Sequence, residues 1–560
     1  MDQPAKRNTM RRDISLPKGR QVEETASAEV GALLGDMPRR RDLLIEALHL
    51  IQDGTGQLSA ANLAAVADEF RIGQAEVFEV ASFYHHFDIV KEGEAGPAPL
   101  TIRVCDGLSC SMAGADTIIN ALKDVTDASQ IRVQNVPCIG RCDTAPAAQI
   151  GKRAVDNATV PILVDLAARG EVIVEIPDYE DLAAYQAKGG YKMLARVLAG
   201  DITADEAVST MSDANLRGLG GAGFPAGRKW GFVRGYQAPR LMTINGDEGE
   251  PGTFKDRWWL ERQPHRMFEG ALIAAHVVGC DKIYMYMRDE YPAVLEILHR
   301  ERDALEAAGL LSTGFEIRRG AGAYICGEES AMIESIEGKR GLPRHRPPYI
   351  AERGLFGRPT LNHNIETLAW IPDILENGAD WFSSQGHSDK HHGLRSFSVS
   401  GRVKEPGVKL APAGIPLIDL INDYCGGIAE GHDFKAFLPG GASGGIFPAS
   451  MADKAMDFGS FEPFGGFVGS HAVVILSDQD DIRGAALNTM EFFAHESCGQ
   501  CTPCRSGTEK MVSLLKDGSR DTDLMGDLMM VMRDSSICGL GQAAGNCVAH
   551  LIEFFPEDLS

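Results

Sequence analysis

Between residues 38 and 87 apolar positions recur at three- and four-residue spacing in RRRDLLIEALHLIQ, SAANLAAVADEF and AEVFEVASFYHHF, with breaks at Asp53-Gly54 and Ile72-Gly73. That spacing predicts three short amphipathic helices. LTIRVC (100–105) and IRVQNV (131–136) have strand patterning, flank the helical ADTIINALKDV (115–125), and each run into a cysteine pair. The polar helical stretch 183–214 reads as a connector. Beyond a glycine-rich turn at 216, strands RLMTIN (240–245) and KIYMYM (282–287) alternate with the amphipathic helices ALIAAHVVG and AVLEILHRERDALEAAG, the pattern of a parallel α/β sheet. RSFSVSGRV, a turn at EPG, VKLAP, a helix in PLIDLINDYCGG and the strand FKAFLP, within 395–438, resemble a small β-grasp module. From DIRGAALNTMEFFAHES onward the pattern is helical, with CGQCTPC in a connecting loop. Residues 1–36 lack periodicity and are expected to be a flexible basic tail.

A chain of 560 residues exceeds one hydrophobic core, so several domains are expected. No apolar run approaches the ~18 residues of a membrane span. Lys6, Arg7, Arg11, Arg12, Lys18 and Arg20 have no apolar segment behind them, so no secretory signal is read and a cytoplasmic setting is expected. The net charge of −23, from 55 basic against 78 acidic residues, disfavours nucleic acid and anionic membrane as partners.

Twelve cysteines in a reducing compartment point to ligands or buried thiols, and seven are clustered. Cys498, Cys501 and Cys504 recur every third residue around Gly and Pro, so one irregular loop can wrap a [4Fe-4S] core. A fourth ligand must come from downstream. Cys538, followed by Gly539 and Gly541, is preferred to Cys547, which lies in a helix-like apolar run. Arg505 and the helix start behind it would stabilise thiolate charge. Cys105 and Cys110 (C-x4-C) with Cys138 and Cys142 (C-x3-C) suit two bridged irons of a [2Fe-2S] cluster. A four-cysteine zinc site is the rival at either place.

RGLGGAGFPAGRKW holds Gly218-x-Gly220-x-x-Gly223, but a helical stretch precedes it and Pro225 is expected to block an immediate helix, unlike a standard dinucleotide fingerprint. Close backbone approach beside Arg228 and Lys229 favours a phosphate or a flat ring. Asn245, Asp247, Glu248 and Glu250 in NGDEGEPGTFKD, with Glu328 and Glu329 in AYICGEES, repel phosphate, so their expected targets are ribose or ribityl hydroxyls and a carboxamide.

Together RGLGGAGFPAGRKW, NGDEGEPGTFKDR, GAYICGEES, HNIETLAW, ESCGQCTPCRSGT and SICGLGQ resemble the NADH-binding flavoprotein subunits of respiratory complex I. VCDGLSC and PCIGRC resemble their [2Fe-2S] thioredoxin-like companion, here fused in front. With RGLPRHRPPY and SVSGRVKEPGVKLAPAG, the chain is most similar to the beta (diaphorase) subunits of cytoplasmic NAD-dependent molybdenum- or tungsten-containing formate dehydrogenases. Diaphorase subunits of NAD-reducing hydrogenases share the architecture.

The resemblance implies that FMN is bound by Gly218, Gly220, Gly221, Ala222, Gly223, Lys229, Asn245, Asp247 and Glu248. Tyr324, Gly327, Glu328, Glu329 and Asn364 would assist. NAD(H) would stack beside Phe224, with Phe232, Glu250, Glu329, Arg346 and Tyr349 around it. His363 stands where complex I has asparagine, which implies either altered contacts to the flavin phosphate or a substitute N–H donor, and Arg346 replaces lysine with the charge kept. The implied fold is a multidomain α/β chain: tail 1–36; helical bundle with a thioredoxin-like [2Fe-2S] domain, 37–170; helical connector, 171–215; Rossmann-like FMN/NADH domain, 216–393; β-grasp domain, 394–476; helical [4Fe-4S] domain, 477–560. The implied activity passes electrons between FMN, the clusters and a formate dehydrogenase alpha subunit carrying further iron–sulfur clusters, with no catalytic side chain. A zinc-stabilised nucleotide-binding scaffold is the alternative of another class.

Overall fold

The computed structural model describes residues 19–559. Helix α1 (Glu24–Leu34) buries Ala26, Val30 and Leu34, four residues apart on one face. The expected tail is therefore corrected: residues 1–18 lie outside the described residues, and the rest contains a packed helix. Its apolar stripe is thin in sequence because one of its three buried members is only an alanine. Helices α2 (Leu44–Thr55), α3 (Ala60–Phe70) and α4 (Gln74–Phe83) follow as expected, with Ser59 capping α3 through the Asn62 N–H at 3.0 Å.

Strand β1 (Leu100–Cys105), the short helix α5 (Leu108–Met112), helix α6 (Ala115–Val125) and strand β2 (Ile131–Val136) come next. They are followed by β3 (Ala148–Ile150), β4 (Arg153–Val155) and α7 (Val160–Arg169). The strand order is β2-β1-β3-β4, with β1 and β2 parallel. This sheet has a core of its own, whereas α1–α4 share theirs with Ala321, Ile325 and Ile333 of the central domain and with Phe492 and Phe493 beyond it. Arg318, 2% exposed, ties that seam by donating to Asp42 at 2.8 Å and Glu46 at 3.1 Å on the helical side.

The connector is three helices, α8 (Leu182–Ala187), α9 (Lys192–Ala199) and α10 (Ala204–Asp213). Helix α11 (Ala226–Arg234) starts directly after Pro225, which is its N-cap. Proline there sacrifices no intrahelical bond, so the expected block does not occur. The central domain continues with β5 (Arg240–Gly246), α12 (Lys255–Leu260), α13 (Pro264–Val278), β6 (Cys280–Met287) and α14 (Pro292–Ala307). Strand β7 (Gly314–Arg319), α15 (Glu329–Ile336), β8 (Thr360–Asn364) and α16 (Ile365–Ala369) complete it. All four strands are parallel in the order β8-β5-β6-β7. Asn245 and Asn364 are register partners at the carboxyl ends of β5 and β8, the edge where open α/β sheets place ligands.

The following sheet has the order β10-β9-β13-β11-β12, built from β9 (Leu394–Gly401), β10 (Gly407–Pro412), β11 (Phe434–Leu438), β12 (Phe447–Pro448) and β13 (Ala472–Ser477). Strand β13, unannounced by the pattern, is its centre because all six residues are buried. Helices α17 (Ile482–His495), α18 (Thr502–Lys516), α19 (Thr522–Ser535), α20 (Gly539–Ala543) and α21 (Asn546–Phe554) close the chain. Among the described residues no helix is long and apolar enough to cross a membrane.

Candidate cofactor cleft and cysteine centres

A cleft of about 320 Å³ opens at the carboxyl edge of β5 and β8. Gly220, Gly221 and Ala222 form one wall, with Asn245, Asp247, Glu248 and Glu250 beneath. Tyr324, Gly327, Glu328 and Asn364 also line it. The glycines are a geometric requirement: a Cβ on Gly220 would stand 3.1 Å from the Asn364 Cβ, and Gly223 has φ +64 with a Cβ position 2.8 Å from Phe458. Phe224 and Phe232 are exposed, with ring centroids 6.1 Å apart and Arg228 over both. Tyr349 is exposed as well.

Several carboxylates expected to grip hydroxyls are already engaged. Glu248 accepts the Asp256 and Arg257 N–H groups at 2.7 and 3.1 Å, holding the start of α12. Burial, then the neighbouring Asp256, pushes its pKa up to about 7. Glu328 caps α15 through the Ser330 and Ala331 N–H groups at 3.0 and 2.9 Å and is also paired with Arg346, which reaches Glu329 at 3.0 Å. Glu250 accepts from Tyr324 and from the Ser443 N–H at 2.7 Å. Asn364 caps α16 through the Glu366 N–H at 3.0 Å, and Asn245 donates to the Gly327 carbonyl at 2.8 Å. Asp247 differs: its Oδ2 is buried with no partner, and burial raises its pKa well above the carboxylate range. Lys229 lies outside the cleft lining and donates to the Asn362 carbonyl at 2.9 Å.

His363 is corrected. Its Nε2 accepts the Trp230 indole N–H at 2.7 Å while burial, then Lys229, holds its pKa well below the usual value. Strand alternation turns it away from the cleft that Asn364 lines, so at that nitrogen it is an acceptor toward α11 rather than the expected donor.

Cys105, Cys110, Cys138 and Cys142 are all buried, with Cys138 and Cys142 sulfurs 3.3 Å apart. Cys105 ends β1, Cys110 lies in α5, and the Gly140 N–H points at the Cys138 sulfur at 3.4 Å. CGQCTPC is not wholly loop: Cys501 is the N-cap of α18 and Cys504 lies in its first turn, because Pro503 is tolerated there. Cys538 is the N-cap of α20, so both segments aim helix N-termini at the thiols. A Cβ on Gly541 would stand 2.9 Å from the Cys504 Cβ, which shows how closely the Cys538 segment packs on the triplet. Cys547 is buried and directs its thiol to the Ala442 carbonyl at 3.2 Å. Gly539 and Leu540, directly after Cys538, form part of the cleft wall.

Residues 211–373 match the Nuo51 FMN-binding domain, 30–168 the thioredoxin-like [2Fe-2S] ferredoxin, and 484–560 the NADH-ubiquinone oxidoreductase-F iron–sulfur binding region. The NADH-quinone oxidoreductase F 2 subunit of Rhizobium meliloti (strain 1021) is 42% identical over 66% of this chain and 91% of its own length. The corresponding F subunit of Aquifex aeolicus (strain VF5) is 41% identical over 68% and 91%. The chain belongs to the family of NADH-quinone oxidoreductase F subunits. A crystal structure of an NAD+-reducing [NiFe]-hydrogenase in the H2-reduced state superposes with TM-score 0.81 at 33% identity over 93% of this chain and 92% of that one. The air-oxidised state gives 0.82, 32%, 94% and 94%.

As a member of that family the chain carries FMN, NADH-binding, [2Fe-2S] and [4Fe-4S] regions. The glycine cradle and the orphaned Asp247 oxygen fit a hydroxyl-bearing flavin chain, and the converging thiols fit clusters. Sequence reasoning missed the residues that join the two ends. Arg288, 4% exposed, donates to the Cys138 carbonyl at 2.8 Å and to the Glu248 carbonyl. Tyr291 donates to Glu248 at 3.1 Å and Arg257 to the Gly140 carbonyl at 2.9 Å. The signal was faint: MRDEY reads as an ordinary charged turn after a strand. Ser443, Phe467, Gly469 and Ser470 of the β-grasp region also line the cleft.

Proposed function

We propose that this chain is the diaphorase subunit of a cytoplasmic NAD-dependent formate dehydrogenase, joining NAD(H) to a molybdenum- or tungsten-containing formate-oxidising alpha subunit with further iron–sulfur clusters. One observation carries the electron-transfer part: the segment behind Cys538 and the Gly220–Ala222 cradle are walls of one cleft. When bound, FMN supplies the exchange between a two-electron hydride and single electrons. The chain's residues position and shield. Gly220 and Gly221 let backbone approach, Asp247 keeps an unclaimed acceptor for a hydroxyl, and Phe224 and Phe232 offer ring faces to a nicotinamide. Glu248 and Glu250 keep neighbouring segments in place, so no side-chain acid or base is assigned. We assign Cys105, Cys110, Cys138 and Cys142 to the [2Fe-2S] cluster, and Cys498, Cys501, Cys504 and Cys538 to the [4Fe-4S] cluster.

Formate as electron source is supported by the likeness of RGLPRHRPPY and SVSGRVKEPGVKLAPAG to formate dehydrogenase beta subunits. A hydrogenase partner is favoured instead by the two hydrogenase structures, which match nearly the whole chain. Purifying the native assembly and assaying its metals together with NAD+ reduction separates them. The formate reading expects molybdenum or tungsten and formate-dependent NADH formation. Nickel with hydrogen-dependent NADH formation overturns it.

A further inference from the structure

Near the cleft, a second cavity of about 100 Å³ lies where the helical unit, the thioredoxin-like sheet, the central domain and the C-terminal helices meet. Three carboxylates line it, Asp247, Glu290 and Glu496, against two arginines. Arg288 is committed to two carbonyls and to Glu290 at 3.1 Å. At one side His85, just beyond α4, meets His495 at the end of α17 in a stack with centroids 4.2 Å apart and 24° between planes. These residues stand 410 positions apart in sequence. Glu496 sends Oε1 toward the His495 Nδ1 at 3.2 Å, while its Oε2 accepts the Tyr324 N–H at 2.9 Å. One nitrogen of each histidine and one oxygen of Glu496 lie within 4.8 Å of one another.

We propose that His85, His495 and Glu496 form a binding site for a borderline divalent ion of the zinc class, which clamps the helical unit to the segment leading into Cys498. Two imidazoles and a carboxylate are a donor set that suits zinc and not magnesium or calcium, which take oxygen. Ring stacking is a weak attraction, and a shared cation would add a stronger tie between the two imidazoles. Tetrahedral bonds of 2.0–2.1 Å set ligand atoms about 3.4 Å apart. The closure needed is small, and the two histidines can supply it because both are exposed enough to turn; the His495 side chain is 46% exposed. The fixed member is Glu496, 6% exposed and held by Tyr324. The His85 backbone is fixed too, donating to the Gly322 carbonyl at 3.2 Å. The cavity leaves room for water at the fourth position. The ion would thus couple the end of α4, the Tyr324 segment and the approach to Cys498 through one centre.

The test titrates the chelator-treated holo-chain, clusters and flavin intact, with Zn2+ by calorimetry, and records zinc X-ray absorption on the loaded protein. One equivalent with two imidazoles and only nitrogen or oxygen neighbours is expected. His85→Ala and His495→Ala should each weaken binding about tenfold or more, with iron and flavin contents unchanged. Sulfur neighbours, unchanged affinity in both variants, or millimolar binding of an adventitious ion only overturns the proposal. Should a variant lose its cofactors, the ligand count on wild-type protein decides alone.

Discussion

Arg288 shows how one residue can tie two distant segments together. Its guanidinium is buried between the Cys138 and Glu248 carbonyls and pairs with Glu290. Arg288→Gln leaves Glu290 with the more distant His86, 3.6 Å away, in place of its buried guanidinium, so destabilisation of about 3 kcal/mol, the low end for breaking a buried pair, is expected. It should appear in calorimetry as a lower melting temperature, with iron and flavin lost together; loss of neither contradicts the bridge. At this scale legibility followed chemistry. Cysteines and glycines stood out because cluster ligation demands a residue type at a spacing, and close approach demands a missing Cβ. Carboxylates did not separate, since Glu328 capping α15 and Asp247 left unpartnered at the cleft carry the same letter class in sequence. Position in a motif does not give the direction His363 faces, whereas its contact with Trp230 does.

Helix α2 fixes the N-terminal unit through His49, whose Nε2 lies 2.8 Å from the Gly320 carbonyl in a buried setting. Burial holds its pKa down to about 4 from 6.5, so the folded state declines a proton that the unfolded chain accepts between those values. Stability from this group is complete above pH 6.5 and is lost as pH falls toward 4, by about 3 kcal/mol in total. Denaturant midpoints from pH 7 to 5 should fall more steeply for wild type than for His49→Gln, and parallel slopes contradict this. Elements with clear periodicity, such as β1, α6 and β2, keep the boundaries read from sequence. Strand β13 was hidden because burial on both faces removes alternation, and α1 because its stripe is thin. The Cys504 turn is helical despite Pro503, because proline costs no hydrogen bond in the first turn.

Across the whole molecule, domains distant in sequence converge on one cleft: β5 and β8 of the central sheet, the β-grasp residues around Ser443 and Gly469, and the Cys538 segment. That convergence is non-local and left no trace in any single stretch of the chain. Central to it is the proposal that Cys538 completes the second cluster beside the cleft; its segment packs on Cys504, whereas the Cys547 thiol is directed to the Ala442 carbonyl. Iron and flavin counted per chain, in anaerobically prepared wild type, Cys538→Ser and Cys547→Ser, test this most directly. About six irons and one FMN are expected for wild type and Cys547→Ser, and about four irons fewer for Cys538→Ser. Zinc in place of iron, or loss of the four irons from Cys547→Ser with Cys538→Ser intact, would contradict it.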